Sequence, residues 1–379
     1  MRMAMARRGI VPAGRPISLL LVLAAFLGLA ASTSAQVDRW GTYAGAHVGD
    51  TEIVPTPIAN LKNVIAVDAS NMSTYALESN GTVWATGGNG RGELGDNSFA
   101  ESAPEAVQVQ FPAGVKIVAI GEAENSGFAI DSTGQGWTWG EALCSGSQEA
   151  VTPEKVPGMT EARAVQGGER HVLWLMKNGT VEVCGTNGNG QLGVGPLVER
   201  AKFPVVVPGL SNVVEVSAGE KSSCARTASG AVYDWGSDLN GQIGNGSEEE
   251  AVYEPFLVPL PGPASEVSCG GDLPTNGTTL ALVGGEVFGW GADNGGQIGD
   301  EERSDEPTPT GTGLHFAHIA AGGVESFGLT ASGELYGWGH NAEHSMGVLG
   351  KFHLVPVLVT THVLAVSATA NNSMDLASP

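Results

Sequence analysis

Segments led by glycine recur along the chain at intervals of 45 to 55 residues, and this repeat constrains the fold more than any other feature. The segments begin at Gly81, Gly134, Gly179, Gly230, Gly285 and Gly333. The clearest copy reads GAVYDWGSDLNGQIGNG, from Gly230 to Gly246. A period near 50 residues in a glycine-rich chain is typical of stacked β units, as in propeller blades or solenoid turns.

Four short runs, which we call strands A to D, recur in every period. In the clearest copy they cover residues 213–216, 222–227, 231–235 and 255–258. Each run holds β-branched or aromatic residues and is bounded by Gly, Asn or Pro, which is the pattern of a β-strand. The sequence therefore predicts an all-β domain.

Strands B and C are joined by dipeptides that end in glycine, such as Asn178-Gly179 and Ser229-Gly230. Glycine accepts a positive φ without steric cost, so these dipeptides predict tight hairpin turns. A tryptophan then ends strand C in four copies, at Trp139, Trp235, Trp290 and Trp338. Thr86 and Cys184 occupy the same slot in two others. A large ring at a fixed place in each repeat is suited to packing between neighbouring sheets.

Counting the runs gives seven A–B pairs and seven C–D pairs. The chain after residue 36 opens on a C strand at 37–41 and closes on a B strand at 372–376. The two ends would complete one sheet and remove open edges. The prediction is a seven-bladed β-propeller of four-stranded antiparallel blades, closed by N- and C-terminal half-blades. An open β-solenoid is the alternative, but its ends would call for distinct caps.

The repeats resemble those of the regulator-of-chromosome-condensation propeller family. The likeness rests on 230–236 (GAVYDWG), 240–244 (NGQIG), 217–219 (SAG) and 188–193 (GNGQLG), and it extends over nearly all of 37–377. The resemblance implies a seven-bladed propeller, in agreement with the count. The family's nucleotide-exchange member is nuclear and acts on the GTPase Ran and on chromatin. This sequence lacks that member's long wedge insertion, and only His171 matches a histidine that the family's repeats often carry.

The N-terminal residues 1–35 have the organisation of a signal peptide. Arg2, Arg7, Arg8 and Arg15 precede an apolar run at 17–31, and small residues precede Gln36. We expect cleavage before Gln36, a propeller over 36–379, and a secreted or periplasmic protein with no membrane insertion after cleavage. An uncleaved membrane anchor is the alternative, although 15 apolar residues are short for a span of roughly 20.

The chain is strongly acidic, with 18 Lys and Arg against 40 Asp and Glu, a net charge of −22. Without the four arginines of 1–35 the charge becomes −26. Such a surface repels phosphate backbones and anionic lipids, so we expect no nucleic-acid binding. A partner protein of basic character fits better.

The four cysteines, Cys144, Cys184, Cys224 and Cys269, have no zinc-binding spacing. Export would permit disulfides, and four cysteines allow three pairings that the sequence does not distinguish. Buried free thiols are the alternative.

Several short motifs match functional patterns without the context that those functions need. The GxGxxG runs at 90–95 and 188–193 recur at the repeat period and precede extended, proline-containing stretches, so we interpret them as structural loops. His340 and His344 lack the zinc-protease order, and the acidic runs at 248–250 and 300–302 lack calcium-loop spacing. No nucleophile has a visible base. The sequence predicts no catalytic residue, no cofactor and no metal.

The prediction for function is a monomeric, non-enzymatic scaffold that binds a protein partner through one face. In an antiparallel blade the A-to-B and C-to-D loops emerge together, and loops on a rigid scaffold carry binding residues. The candidate partner-binding residues of this face are Glu122, Glu124, Glu169, Arg170, Glu220, Lys221, Asp272 and Glu325. One alternative is a secreted enzyme inhibitor of the same propeller type. Another is a glycan hydrolase or lyase, which would need paired carboxyl groups in a pocket.

Overall fold

A computed structural model describes residues 36–41, 52–69, 73–271, 276–341, 344–368 and 372–377. These residues form 28 β-strands and no α-helix. The predicted signal peptide, 1–35, lies outside them. Within the described part, no helix is long and apolar enough to cross a membrane.

The strands group into seven four-stranded antiparallel sheets, which we call blades I to VII. Blade I contains β1 (Gln36–Gly41), β2 (Glu52–Pro57), β27 (Val363–Ala368) and β28 (Asn372–Ala377). Blade II contains β3 (Val64–Ala69), β4 (Ser73–Glu78), β5 (Val83–Gly88) and β6 (Ser102–Gln108). Blade III contains β7 (Ile117–Ala123), β8 (Ser126–Asp131), β9 (Gly136–Gly140) and β10 (Ala150–Lys155). Blade IV contains β11 (Ala162–Gly167), β12 (His171–Met176), β13 (Val181–Thr186) and β14 (Arg200–Val206).

The last three blades follow the same order. Blade V contains β15 (Val213–Ala218), β16 (Ser222–Thr227), β17 (Val232–Ser237) and β18 (Ala251–Leu257). Blade VI contains β19 (Ala264–Cys269), β20 (Thr278–Val283), β21 (Glu286–Gly291) and β22 (Glu306–His315). Blade VII contains β23 (His318–Ala321), β24 (Glu325–Leu329), β25 (Leu335–His340) and β26 (Phe352–Thr360). The fold class and the seven-blade count are those predicted.

The two ends of the described chain close the ring as expected. β1 pairs antiparallel with β28 along its whole length, with Val37 opposite Leu376 and Gly41 opposite Asn372. Blade I therefore has the order β2-β1-β28-β27, with two strands from each end. This pairing leaves no unpaired inner edge between the first and last blades.

The turns between strands B and C use glycine for the predicted reason. Gly179 has a φ of 80°, and the corresponding Gly230 has a φ of 82°. A Cβ on Gly230 would come within 2.6 Å of Pro263, at the start of the next blade. The glycine thus permits both the turn and the close approach of the neighbouring blade.

The outer strands differ from the prediction at their starts. Strand D of blade V was expected at 255–258, but β18 begins four residues earlier, at Ala251. The register shifts between Asp234 and Gly236, and strand pairing resumes beyond the shift. Pro255 has no N–H to donate, so it is tolerated where the ladder is interrupted.

The tryptophan slot lies between blades, and its side chains are fully buried. Trp235 of blade V donates its Nε1–H to the carbonyl of Gln191 in blade IV, at 3.0 Å. Trp338 makes the same bond to Gln297 of blade VI, at 3.0 Å. Each indole therefore fixes the C-to-D loop of the preceding blade, in addition to filling space.

Blade IV carries Cys184 in the tryptophan slot, and Cys184 forms a disulfide with Cys144 in the preceding C-to-D loop. A second disulfide joins Cys224 of blade V to Cys269 of blade VI. The three possible pairings are thereby reduced to one, and no cysteine is left as a free thiol. Both bridges connect adjacent blades.

Candidate functional site

A central channel of about 280 Å³ runs between the inner A strands of the blades. Its lining contains seven carboxyl groups and, among the residues that the structure describes, no Lys, Arg or His. The seven are Asp68, Glu122, Glu124, Glu169, Glu215, Glu220 and Glu266. The channel wall limits the access of water to these carboxylates, and the carboxylates repel one another. The group therefore attracts positive charge.

The A-to-B and C-to-D loops meet on one side of the ring, as predicted, and we call this side the loop face. Arg170, in the A-to-B loop of blade IV, lies 3.2 Å from Glu141, in the C-to-D loop of blade III. Arg91, in the C-to-D loop of blade II, lies 3.2 Å from the same carboxylate. Residues from three blades are thus in contact on this face.

Five of the candidate residues gather where the channel opens on the loop face, and we call this group the channel mouth. It consists of Glu124, Glu169, Arg170, Glu220 and Lys221. The Lys221 ammonium lies 3.4 Å from Glu169 and 3.6 Å from Glu220. Burial, together with the nearby Glu169 and Glu141, raises the pKa of Glu124. The acids of the mouth outnumber its two cations, so its local charge is negative.

The other three candidates do not join the channel mouth. Glu122 ends strand β7 and is buried, where it accepts a hydrogen bond from Ser73 Oγ at 2.6 Å. Glu325 begins strand β24 and is also buried, with Val324 N–H donating to it at 3.2 Å. Both belong to strand ends that pack between blades rather than to exposed loop tips. Asp272 lies outside the described residues.

Glu141 and Arg91 were missed by the sequence reasoning, although Glu141 carries a signal. It directly follows strand β9, where the corresponding residues of blades II and IV to VII are Gly88, Thr186, Ser237, Ala292 and His340. The next position, which we call the loop entry, has Asn or Asp in those five blades, at Asn89, Asn187, Asp238, Asp293 and Asn341. The long acidic side chain of Glu141 reaches across the loop face to the two arginines.

A second charged group lies along the channel, farther from the loop face. Glu215, Glu266 and His318 occupy one register position in the A strands of blades V, VI and VII, where the other blades have alanine. His318 Nδ1 is 3.0 Å from Glu266, and that hydrogen bond raises the pKa of His318. Arg226 Nε is 2.6 Å from Glu215. Burial nevertheless raises the pKa of Glu215 to about 7.

These two acids meet part of the requirement for glycan chemistry, since both line one cavity. Each is held in an ion pair, however, Glu215 with Arg226 inside blade V and Glu266 with His318 between blades. A carboxylate engaged in this way is positioned for joining strands.

The motifs with formal resemblance to cofactor or metal sites have structural surroundings. Gly95, the third glycine of the first GxGxxG run, would carry a Cβ only 2.9 Å from Trp139, so the motif packs against the next blade. His340 stacks on Phe352 with ring centroids 4.5 Å apart. In the part of the chain with described coordinates, no three His, Cys, Asp or Glu side chains are grouped to hold a metal ion.

Sequence comparison finds the same repeat. A family model for the regulator of chromosome condensation (RCC1) repeat matches residues 178–226 and 229–273. The probable E3 ubiquitin-protein ligase HERC6 of Homo sapiens is 32% identical over 205 residues, which cover 52% of this chain and 19% of HERC6. The mitochondrial RCC1 domain-containing protein RUG3 of Arabidopsis thaliana is 26% identical over 381 residues, 86% of this chain and 82% of RUG3. The chain thus spans only about a fifth of HERC6 but most of RUG3.

Structure comparison finds solved proteins of similar fold. The crystal structure of Prp20p from Saccharomyces cerevisiae, described with its binding properties to Gsp1p and histones, matches with a TM-score of 0.81. The match has 21% sequence identity and covers 92% of each chain. Human WBSCR16 matches with a TM-score of 0.79, at 19% identity, over 91% of this chain and 99% of the other. The chain thus contains a match to the RCC1 repeat at 178–226 and 229–273, and its seven-bladed fold is similar to these solved structures.

Proposed function

We propose that this chain is a protein-binding scaffold whose channel mouth receives a basic segment of a partner protein. The observation that carries the proposal is the channel lining, with seven carboxyl groups and no described cation. A cleft of one sign with low-dielectric walls concentrates its field and accelerates the approach of opposite charge. Lysine or arginine side chains of a partner would find acceptors there from blades III, IV and V.

The ion pairs of the channel mouth allow a partner's lysine or arginine to take the place of Lys221. Lys221 shares Glu169 and Glu220 at 3.4 and 3.6 Å, which is long for a charge-assisted bond. The side chains of Lys221, Glu169 and Glu220 are 23%, 28% and 15% exposed, and partly exposed pairs at these distances contribute little to stability, so a partner's cation can replace Lys221 at small cost. Glu124, whose pKa is raised, would gain from a cation beside it because its charged form is favoured by an opposite charge.

The related proteins support binding as the general role. RCC1-repeat propellers form a scaffold for protein interactions, and the Prp20p structure is described with its binding to two other kinds of protein. Those partners belong to Prp20p. For this chain we propose a partner protein that is recognised by the positive charge of a basic segment.

We further propose that the protein acts outside the cytoplasm as a monomer and does not bind nucleic acid. The signal-peptide pattern of 1–35 and the two disulfides between blades support export, since disulfides persist in oxidising compartments. The excess of 40 acidic over 18 basic side chains disfavours nucleic acid. An enzyme inhibitor acting through the same face remains the alternative within binding proteins.

The test is capture by the chain from Gln36 to Pro379, immobilised and exposed to culture fluid and envelope extracts. We expect a retained protein with a basic segment, released by raising the salt from about 0.05 to about 0.5 M, because salt screens exposed charges. The double variant Glu124→Gln/Glu169→Gln should lose this protein.

The matched control is Glu105→Gln/Glu254→Gln, which removes the same charge from exposed sites on outer strands. It should retain the protein as the unmodified chain does. Equal capture by the mouth variant, or capture that salt leaves unchanged, would show that the channel mouth is not the binding site.

A further inference from the structure

The loop-entry side chains hold their C-to-D loops by a repeated hydrogen bond. The Oδ1 of Asn187 accepts the N–H of Leu192 at 2.9 Å, and the Oδ1 of Asn341 accepts the N–H of Met346 at 2.9 Å. Asp293 does the same for Ile298, at 2.7 Å. One side-chain oxygen therefore has an identical role in each of these blades.

The second atom of the loop-entry side chain faces oxygen atoms. In blade IV the Nδ2 of Asn187 donates to the carbonyls of Val198 and Gly195, at 2.7 and 3.1 Å. In blade VII the Nδ2 of Asn341 donates to Val348 and Gly350, at 2.7 and 2.8 Å. The loop geometry thus calls for a hydrogen-bond donor in this position.

Blade V has an aspartate at the loop entry and supplies the donors from elsewhere. The Oδ2 of Asp238 accepts from Asn245 Nδ2 at 2.8 Å and from Ser247 Oγ at 3.3 Å. An acid is therefore tolerated when the loop sequence provides an amide and a hydroxyl.

Blade VI has Asp293 at the loop entry but lacks such donors. Asp293 is fully buried, and its Oδ2 has no hydrogen-bond donor among the described residues. Asp300 follows Asp293 by seven residues, the offset at which Asn245 donates to Asp238 in blade V, so a carboxyl replaces the donor amide here. Burial, with the nearby charges of Asp300 and Asp305, raises the pKa of Asp293 to about 8. Asp305 already accepts the backbone N–H of Asp293 at 2.9 Å.

The other charged groups around this loop do not supply the missing donor. Arg303 donates its Nε–H to the carbonyl of Asn294 at 2.8 Å, and its guanidinium lies over Phe352. His340 approaches from blade VII against Gly295 and stacks on Phe352. The buried Oδ2 of Asp293 therefore requires a hydrogen, and the side chain in the donor's position, Asp300, can share one only if a proton is bound.

We propose that Asp293 and Asp300 share a proton, and that this proton holds the C-to-D loop of blade VI in place against blade VII. A single proton satisfies the two carboxyls, whereas a calcium ion needs six or more oxygen ligands. Among the described residues, no three His, Cys, Asp or Glu side chains are grouped to hold a metal ion.

The loop that the proton holds also connects the blades. The carbonyl of Gln297 in this loop accepts from Ser326 Oγ at 2.7 Å and from Trp338 Nε1 at 3.0 Å, both in blade VII. Loss of the proton leaves a negative charge on the buried Asp293 near that of the partly exposed Asp300, which destabilises the loop. The contact of blade VI with blade VII then weakens on the loop face as the solution becomes alkaline.

The direction of the pH dependence follows from proton linkage. Between about pH 4 and about pH 8 the folded chain keeps a proton on Asp293 that the unfolded chain has lost, so stability falls as pH rises through this window and levels off above it. In Asp293→Asn the amide provides the donor at every pH. Asparagine is also the residue found at the loop entries of blades II, IV and VII, so this variant is expected to fold.

The experiment compares denaturant unfolding of the two chains at several pH values. The unfolding constant of the unmodified chain, divided by that of Asp293→Asn, should increase up to tenfold per pH unit between about pH 5 and pH 8. Asp300→Asn, which supplies a donor from the other side, should behave like Asp293→Asn. Glu302→Gln, an exposed acid of the same loop, should leave the pH profile unchanged.

Two results would overturn the proposal. One is an Asp293→Asn chain with the same pH profile as the unmodified chain, since the shared proton would then contribute nothing. The other is a rise in melting temperature of the unmodified chain, absent in Asp293→Asn, on adding calcium chloride at about millimolar concentration. That result would assign the two carboxyls to a cation.

Discussion

At the scale of single residues, the tryptophan slot shows that different chemistry can join two blades at one position. Where Trp235 and Trp338 reach back with an indole N–H, blade IV uses the disulfide of Cys184. The loop that it reaches, 141–148, is one of two, with 340–346, that have lost the repeated glycine pattern. A loop without its usual hydrogen bonds is thus attached covalently.

This substitution predicts the cost of removing the bridge. The free energy of unfolding of the variant Cys144→Ala/Cys184→Ala should be about 3–4 kcal/mol lower than that of the parent, because the bridge closes a segment of 40 residues. Denaturant unfolding under oxidising conditions measures the difference. The reduced forms of the two chains serve as the control and should be closer in stability. A variant as stable as the oxidised parent would show that the blade contact does not depend on the bridge.

His171 gives a second prediction at this scale. It is fully buried, its Nε2 lies 2.9 Å from Ser223 Oγ, and burial lowers the pKa of His171 to about 4. Between pH 6.5 and 4 the unfolded chain takes up a proton that the folded chain refuses, so stability falls as pH falls. The fall in unfolding free energy that His171 causes, about 1.4 kcal/mol per pH unit, should be absent in His171→Gln.

The measurement is the difference in unfolding free energy between His171→Gln and the parent, followed from pH 7 to pH 4. The difference should move steadily in favour of the variant on acidification. A difference that stays constant over this range would mean that His171 titrates normally in the folded chain.

The sequence predicted the slot tryptophans and turn glycines because each repeats at a fixed offset. It did not predict that Glu122 and Glu325 are buried, since a strand end and a loop tip have the same residue types here. The contacts of Glu141 with Arg91 and of Glu266 with His318 join residues about 50 positions apart. Such contacts depend on which blades are neighbours and not on local pattern.

At the scale of elements, the seven outer strands share a feature that protects their exposed edges. Every blade ends on an outer strand that contains proline, at Pro55, Pro104, Pro153, Pro204, Pro255, Pro307 and Pro356. An outer strand exposes unpaired backbone groups that can pair with another chain, and proline removes a donor and interrupts the edge. The seven edges are protected against association in the same way.

The outer strand of blade IV has an apolar edge that needs this protection. Strand β14 exposes Phe203 by 50% and Val206 by 56% beside Pro204. Pro204→Val should therefore raise self-association without a large loss of thermal stability, because the restored N–H lies in an apolar edge. Light scattering at increasing concentration tests this expectation. Pro204→Lys, which also restores the N–H but adds charge, should stay dispersed, and a monodisperse Pro204→Val chain would refute the role of proline.

At the scale of the whole molecule, the ring depends on the pairing of its two ends. The repeat period and the complementary half-blades were sufficient to predict seven blades and their closure. The period does not reveal how far the channel lining differs between blades, because those differences are single substitutions at one register position. The acidic channel and the loop face have meaning as a site only if the ring closes, since closure brings the A strands of all blades around one axis.

The most direct test is a cysteine pair across the closing seam. Gln36 lies opposite Ala377 in the β1–β28 ladder, and opposed residues of antiparallel strands have the separation that a disulfide requires. Oxidised Gln36→Cys/Ala377→Cys should give a peptide linking positions 36 and 377 in mass spectrometry, whereas Gln36→Cys/Glu105→Cys should not. A folded protein in which positions 36 and 377 stay unlinked would contradict the closed ring, and with it the channel mouth as a binding site.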